Sequence, residues 1–147
     1  MSGNIKYLSQ FINCVYIMSK PLLFSLYKKV EEKGIIDEEI IQFIEEIYPN
    51  KVENILEVIR RGIKKVTYHP SNRIIWTAMG SNSEHLIYPK IYCSCQDFYK
   101  RVVIERNRDY CKHIIAQIIC EGLKIFKEES SQDKKLKSFF KSLSLKE

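Results

Sequence analysis

Apolar residues recur at intervals of three and four through the first sixty positions. Leu8, Phe11, Ile12, Val15 and Tyr16 fall on one helical face, and Leu22, Leu23, Leu26, Tyr27 and Val30 do so again, with Gly34 placed for a left-handed cap. Asp37 can cap a third helix whose Ile40, Ile41, Ile44 and Ile47 face inward. Pro49 ends that helix, and Ile55, Leu56 and Ile59 mark a fourth before Gly62. Residues 1–62 are expected to form an N-terminal helical region.

The period changes after Gly62. Ile63 to His69 and Arg73 to Met79 are rich in β-branched and aromatic residues and flank Pro70, Ser71 and Asn72, which predicts a hairpin. Gly80, Ser81, Asn82 and Ser83 supply another turn, and Glu84 to Cys95 is expected to run as a third strand of the same antiparallel sheet. Lys112 to Lys127 reads as a helix whose polar residues, Gln117, Glu121, Lys124 and Glu128, form one narrow stripe, so it should lie buried on its other sides. Residues 63–127 thus form a sheet-and-helix unit. Residues 128–147, dominated by Lys, Ser and Glu, are expected to be a charged C-terminal tail. Within it Leu136, Phe139, Phe140 and Leu143 keep helical spacing, as a segment ordering only against a partner would.

At 147 residues and 45% hydrophobic, the chain can bury one ordinary core with appendages, whereas two independent domains would each be too small. The formal charge of +6 suits a polyanionic partner without requiring one. Lys6, Gln10 and Asn13 interrupt the early apolar residues, so neither an export signal nor a membrane span is expected. Five cysteines without such a signal point to a reducing compartment, the cytoplasm or, in a eukaryote, the nucleus. There, close cysteine spacing more often means metal than disulfide.

Cys93 and Cys95 lie two apart at a predicted strand end, where side chains alternate, so both can grip one ion. Cys111 and His113 are also two apart, but positions i and i+2 of a helix do not face each other. Cys111 must therefore precede the regular helix and His113 lie in its first turn. Three sulfurs and one imidazole nitrogen match tetrahedral zinc, which would close the loop 96–110. Three thiolates around a divalent cation leave one net negative charge, favourably placed at a helix N-terminus beside Lys112. A closed shell leaves no vacant position for water or substrate, so the single zinc ion is expected to be structural. Cys14 and Cys120 read as small buried hydrophobes, Cys120 being about 10 Å along the helix from His113. His69 and His85 have no partner at ligand spacing.

The form Cys93-Ser94-Cys95, fifteen residues, Cys111-Lys112-His113, extended by Ala116, resembles the SWIM zinc-finger family. Within that family it looks like the SWIM subunits of Shu complexes, and the resemblance runs from Asn54 to Leu123, including Gly80-Ser81-Asn82-Ser83. It implies zinc at Cys93, Cys95, Cys111 and His113. It also implies partnership with a paralogue of the RecA/RadA recombinases that would stabilise a filament on single-stranded DNA in homologous recombination. The fold class expected is α+β: N-terminal helices, a small antiparallel sheet, and a zinc site joining a strand end to a buried C-terminal helix.

Lys100, Arg101, Arg106, Arg108 and Lys112 gather in and beside the finger loop as candidate phosphate contacts, with Phe98, Tyr99 and Tyr110 as candidate stacking residues. Asp97, Glu105 and Asp109 are interleaved with them and can instead make a self-compensated solvated face. Of the aromatic residues, Phe98 reads as core and Tyr99 as exposed. The third helix carries Asp37, Glu38, Glu39, Glu45 and Glu46 without a basic residue, a polarity suited to a basic protein surface. No glycine-rich phosphate loop, Ser-His-Asp arrangement or carboxylate pair points to catalysis or a small-molecule substrate. A Cys111 nucleophile activated by His113 would need a metal-free site, which the neighbouring Cys93 and Cys95 disfavour. Two readings remain open: an accessory factor in recombinational repair acting through a recombinase paralogue, and a freestanding nucleic-acid-binding regulatory zinc finger.

Overall fold

A computed structural model describes residues 21–144; the first predicted helix and Cys14 lie outside the described residues. Helix α1 occupies residues 21–33 and is closed by Gly34, whose φ of 67° lets its N–H reach the Val30 carbonyl at 2.9 Å. Helix α2 (Glu38–Ile47) is capped by the Asp37 carboxylate, which accepts from the Ile40 N–H at 3.0 Å. Helix α3 (Val52–Arg61) ends at Gly62, which turns the chain into the sheet.

The sheet has five strands in the order β4-β3-β2-β1-β5. Strands β1 (Ile63–His69), β2 (Arg73–Met79), β3 (Glu84–Tyr88) and β4 (Tyr92–Cys93) are antiparallel neighbours. The single long strand expected from Glu84 to Cys95 is two strands. Pro89 offers no N–H, Lys90 takes a left-handed conformation (φ 67°), and the Ile91 N–H returns to the Tyr88 carbonyl at 3.1 Å. This turn folds β4 back so that Cys93 pairs with Ile87.

Three further expectations are corrected. The helix from Lys112, α4 (Lys112–Leu123), stops four residues early because Lys124 adopts the left-handed conformation and the Ile125 N–H bonds the Cys120 carbonyl at 3.0 Å. The chain then enters β5 (Lys127–Gln132), which lies parallel to β1, so the sheet is mixed rather than antiparallel. Residues placed in a charged tail thus supply an edge strand and a last helix, α5 (Asp133–Ser144).

Sheet alternation builds two cores. On one face Ile63, Trp76, Ala78 and Ile87 pack with α1, α2, α3 and α4 through Leu26, Ile44, Ile55, Ile115 and Ile119. On the other, Val66, Tyr68, Ile75 and Leu86 receive Leu136 of α5, with Phe139 and Leu143 beside it. Helix α4 is buried from His113 to Cys120, as its pattern predicts, but Gln117 belongs to the interior and not to a polar stripe; its amide donates to Glu121 at 2.8 Å. Gly122 admits α1 closely, since a Cβ there would meet Val30 Cγ1 at 3.1 Å. Among the described residues no helix is long and apolar enough to cross a membrane.

Candidate metal centre

Cys93 ends β4, and Cys95 sits two residues on, where the chain leaves the sheet for a π-helical turn, Phe98–Ile104. Ser94 fixes this exit. Its hydroxyl accepts from the Leu86 N–H at 2.9 Å while its own N–H donates to the Leu86 carbonyl at 3.0 Å, extending the ladder one residue by means of a side chain. The Cys95 sulfur accepts from the Phe98 N–H at 3.3 Å, so this ligand candidate also caps the helical turn behind it. Cys111 is the extended N-cap residue of α4 (φ −99°, ψ 165°) and His113 lies in the first turn, as their spacing demands.

One ligand atom from each of Cys93, Cys95, Cys111 and His113 lies within 4.8 Å of the other three, and all four residues are buried. Tetrahedral zinc with sulfur bonds of about 2.3 Å separates its ligands by rather less than this, so a small inward adjustment closes the shell. Two further observations support the fit. His113 Nδ1 is buried without a hydrogen-bond partner among the described residues, which makes the imidazole a poorly satisfied core group unless a ligand or donor engages the ring. The three thiols also compete for charge. Cys95 is held well below the ordinary thiol range by hydrogen bonds from Cys111 and Cys93. The hydrogen bond with Cys111 pushes Cys93 above that range, and burial does the same to Cys111. A divalent cation among them supplies the positive charge that lets all three ionise.

At the starts of the π-helical turn and of α4, the Phe98 N–H donates to the Cys95 sulfur and the Ile114 N–H to that of Cys111. Both favour the net negative charge of a three-thiolate site. The residues fit one zinc ion with a complete protein shell, and the site is structural in kind. The finger cysteines also belong to the main core cluster, continuous with Ile87, Phe98 and Ile114.

The ring of His85 stands 4.6 Å from that of His113 and so packs on a ligand without being one. Gly80 makes room for it: a Cβ there would lie 2.5 Å from His85 Nε2 and 2.8 Å from the Ser83 carbonyl. Ligand spacing carries no trace of this support; its signal is the glycine that opens the turn Gly80–Ser83. His69 is not among the four clustered residues and pairs with Asn72 at 3.0 Å. Cys120 is fully buried in α4, its thiol pushed up to about 12 by burial.

The structure distributes the loop cations unevenly. Arg101 pairs with Glu105 at 2.6 Å. Arg108 donates to the Tyr48 hydroxyl at 3.0 Å and to Asp97 at 3.4 Å, with its guanidinium 5.0 Å from the Tyr48 ring centroid. Lys100 and Arg106 are exposed, and Lys112 is half-buried in the first turn of α4. Among the candidate stacking residues Tyr99 is 64% exposed, but Phe98 and Tyr110 are buried and present no ring to a base.

Comparison with known proteins agrees with this geometry. Residues 86–120 match the SWIM zinc finger family. The chain is 24% identical over 117 residues to "Zinc finger SWIM domain-containing protein 7" of Homo sapiens, covering 78% of this chain and 84% of the relative. It is 28% identical over 117 residues to "Zinc finger SWIM domain-containing protein 7 homolog" of Dictyostelium discoideum, covering 76% of this chain and 75% of the relative. No solved structure matches the chain significantly.

Proposed function

We propose that this zinc-binding SWIM-finger protein is an accessory factor in homologous recombination and DNA repair, acting by binding a RecA/RadA-type recombinase paralogue. The observation that carries the reading is the buried four-ligand shell: with every position filled by protein, the metal stiffens a binding surface and offers no place for substrate. The protein is read accordingly as a non-enzyme working in the cytoplasm, or in the nucleus of a eukaryote. The resemblance of the Cys93-Ser94-Cys95 and Cys111-Lys112-His113-Ile114-Ile115-Ala116 segments to Shu-complex SWIM subunits supports the choice of partner.

A protein partner is further supported by the apolar side chains exposed around the finger. Ile91 and Tyr92 on the β3–β4 side, and Tyr99 and Ile104 on the π-helical turn, are between 42% and 64% exposed. Apolar surface gathered on a metal-stiffened element is characteristic of an interface. The test is co-purification of the zinc-loaded chain with recombinase paralogues of the same organism. Capture that is lost on Tyr99→Glu supports the reading, and failure to bind any of them with zinc present sinks it.

The second reading, a freestanding nucleic-acid-binding regulator, is favoured by exposed Lys100, Arg106 and Tyr99 on the same loop. It predicts tight, steeply salt-dependent binding to DNA or RNA that is abolished by Lys100→Gln with Arg106→Gln and needs no protein partner.

A further inference from the structure

Helix α5 carries four exposed lysines, Lys134, Lys135, Lys137 and Lys141, and none forms an ion pair among the described residues. Its one acidic residue, Asp133, is engaged elsewhere: it accepts from the Ser71 N–H at 3.2 Å and the Ser71 hydroxyl at 2.7 Å, fastening the helix start to the β1–β2 turn. At about 100° per residue, Leu136, Phe139 and Leu143 share one side and Lys134, Lys137 and Lys141 the opposite one. Leu136 is 3% exposed against the sheet, so the lysines necessarily face solvent. The finger loop differs, because two of its arginines are already neutralised by Glu105 and Asp97. Arg73, opposite Tyr68 in the ladder, lies on the sheet face that α5 covers and adds a further exposed cation.

A basic amphipathic helix can also lie on an anionic membrane, but only by inserting its apolar face. Here that face is turned to the sheet, with Leu136 buried and Phe139 and Leu143 packed partly buried beside it. What remains is a row of point charges spanning about 10 Å from Lys134 to Lys141, with Phe140 exposed at its margin. Lysines spaced along a backbone, with an aromatic ring beside them, are what an unpaired nucleic-acid strand requires.

We propose that the outer face of α5, centred on Lys134, Lys137 and Lys141 with Phe140 at its edge, is a binding surface for single-stranded nucleic acid, separate from the zinc finger. The inference deepens the accessory-factor reading and rests on it for the choice of DNA over RNA.

The test is a salt series of fluorescence anisotropy titrations of the full zinc-loaded chain with labelled oligothymidine. Combined Lys134→Glu, Lys137→Glu and Lys141→Glu should lower affinity at least about tenfold at low salt and flatten the log-log salt slope by about 2, the value for three phosphate contacts on a single strand. The corresponding Lys→Gln triple variant removes charge without reversing it and should show the same flattening, which decides the matter if the Glu variant folds poorly. Lys100→Gln with Arg106→Gln should change affinity less than about twofold on this reading. Wild-type affinity in the Gln triple variant overturns the proposal. So does an absence of oligothymidine binding by the parent chain, or tighter α5-dependent binding of duplex DNA or phosphatidylserine vesicles. Recombinase-paralogue capture, measured on the same variants, separates the two claims. No capture by the parent chain, with α5-dependent DNA binding intact, defeats the accessory role alone, whereas capture retained with DNA binding indifferent to α5 defeats the α5 surface alone.

Discussion

Arg108 of the finger loop donates to the hydroxyl of Tyr48, which closes α2, at 3.0 Å, and its guanidinium lies over that ring. Tyr48 in turn reaches Asp97 at the other end of the loop at 3.3 Å. The helical N-terminal region thereby holds both ends of the segment between Cys95 and Cys111, and a residue that sequence assigns to phosphate contact serves as a latch. Arg108→Ala should lower unfolding stability by about 1 kcal/mol, the scale of one half-exposed hydrogen bond with its cation–π contact. Hydrogen exchange should also accelerate across residues 97–110. Unchanged exchange there would show that the latch holds nothing.

Gly80 supports the metal centre at one remove. A methyl group at this position would press on His85, whose ring packs on His113. Gly80→Ala is expected to cost about 1–3 kcal/mol, the usual range for overpacking. It should also weaken zinc retention against a competing chelator. Gly62→Ala meets no neighbouring atom and strains only a positive φ, so it should lower stability without altering zinc retention.

The finger was legible because its chemistry is local: the spacing of Cys93 with Cys95 and of Cys111 with His113 constrains the backbone at each pair, and the structure brings the four together. Helices α2 and α3 and the β1–β2 hairpin were equally legible from period and turn residues. What escaped depends on distant contacts. Strand β5, Lys-Glu-Glu-Ser-Ser-Gln, has almost no β propensity and becomes a strand only because β1 offers an open edge beside it. Gln117 falls on a polar stripe by period and is buried by the crowding of helices around α4. The His85–His113 and Arg108–Tyr48 contacts join residues 28 and 60 apart, a separation that no local pattern encodes.

Helix α5 is held to the sheet chiefly through Leu136, so its attachment can be broken without touching the finger. Leu136→Ala should cost about 2–5 kcal/mol, as truncation of a buried leucine does. It should render residues 133–144 protease-sensitive while zinc content stays at one per chain. Zinc loss in this variant would mean that the two faces of the sheet are not separable.

Metal removal should be felt beyond the loop, because Cys93, Cys95 and Cys111 are part of the main core. The purified chain is expected to carry one zinc, and the Cys93→Ser, Cys111→Ser double variant none. Chelation should lower Tm and open residues 93–113 to exchange first. A metal-free chain with an undiminished Tm would refute the structural role.

Alkaline pH offers an independent probe of the core. Burial raises the Cys120 thiol from 9.0 to about 12, and chiefly burial also raises Tyr48 above its ordinary 10.0. Below pH 9 the thiol is protonated in both folded and unfolded chains, so pH has no effect through this group. Between about 9 and 12 the unfolded chain releases the proton and the folded one retains it, so each pH unit removes up to about 1.4 kcal/mol of stability. Tyr48 adds to the loss above pH 10. Cys120→Ala should have a lower stability at neutral pH, from the lost packing, but a flatter decline above pH 9. Parallel curves for the two proteins in denaturant titrations would show that the Cys120 thiol does not carry the effect.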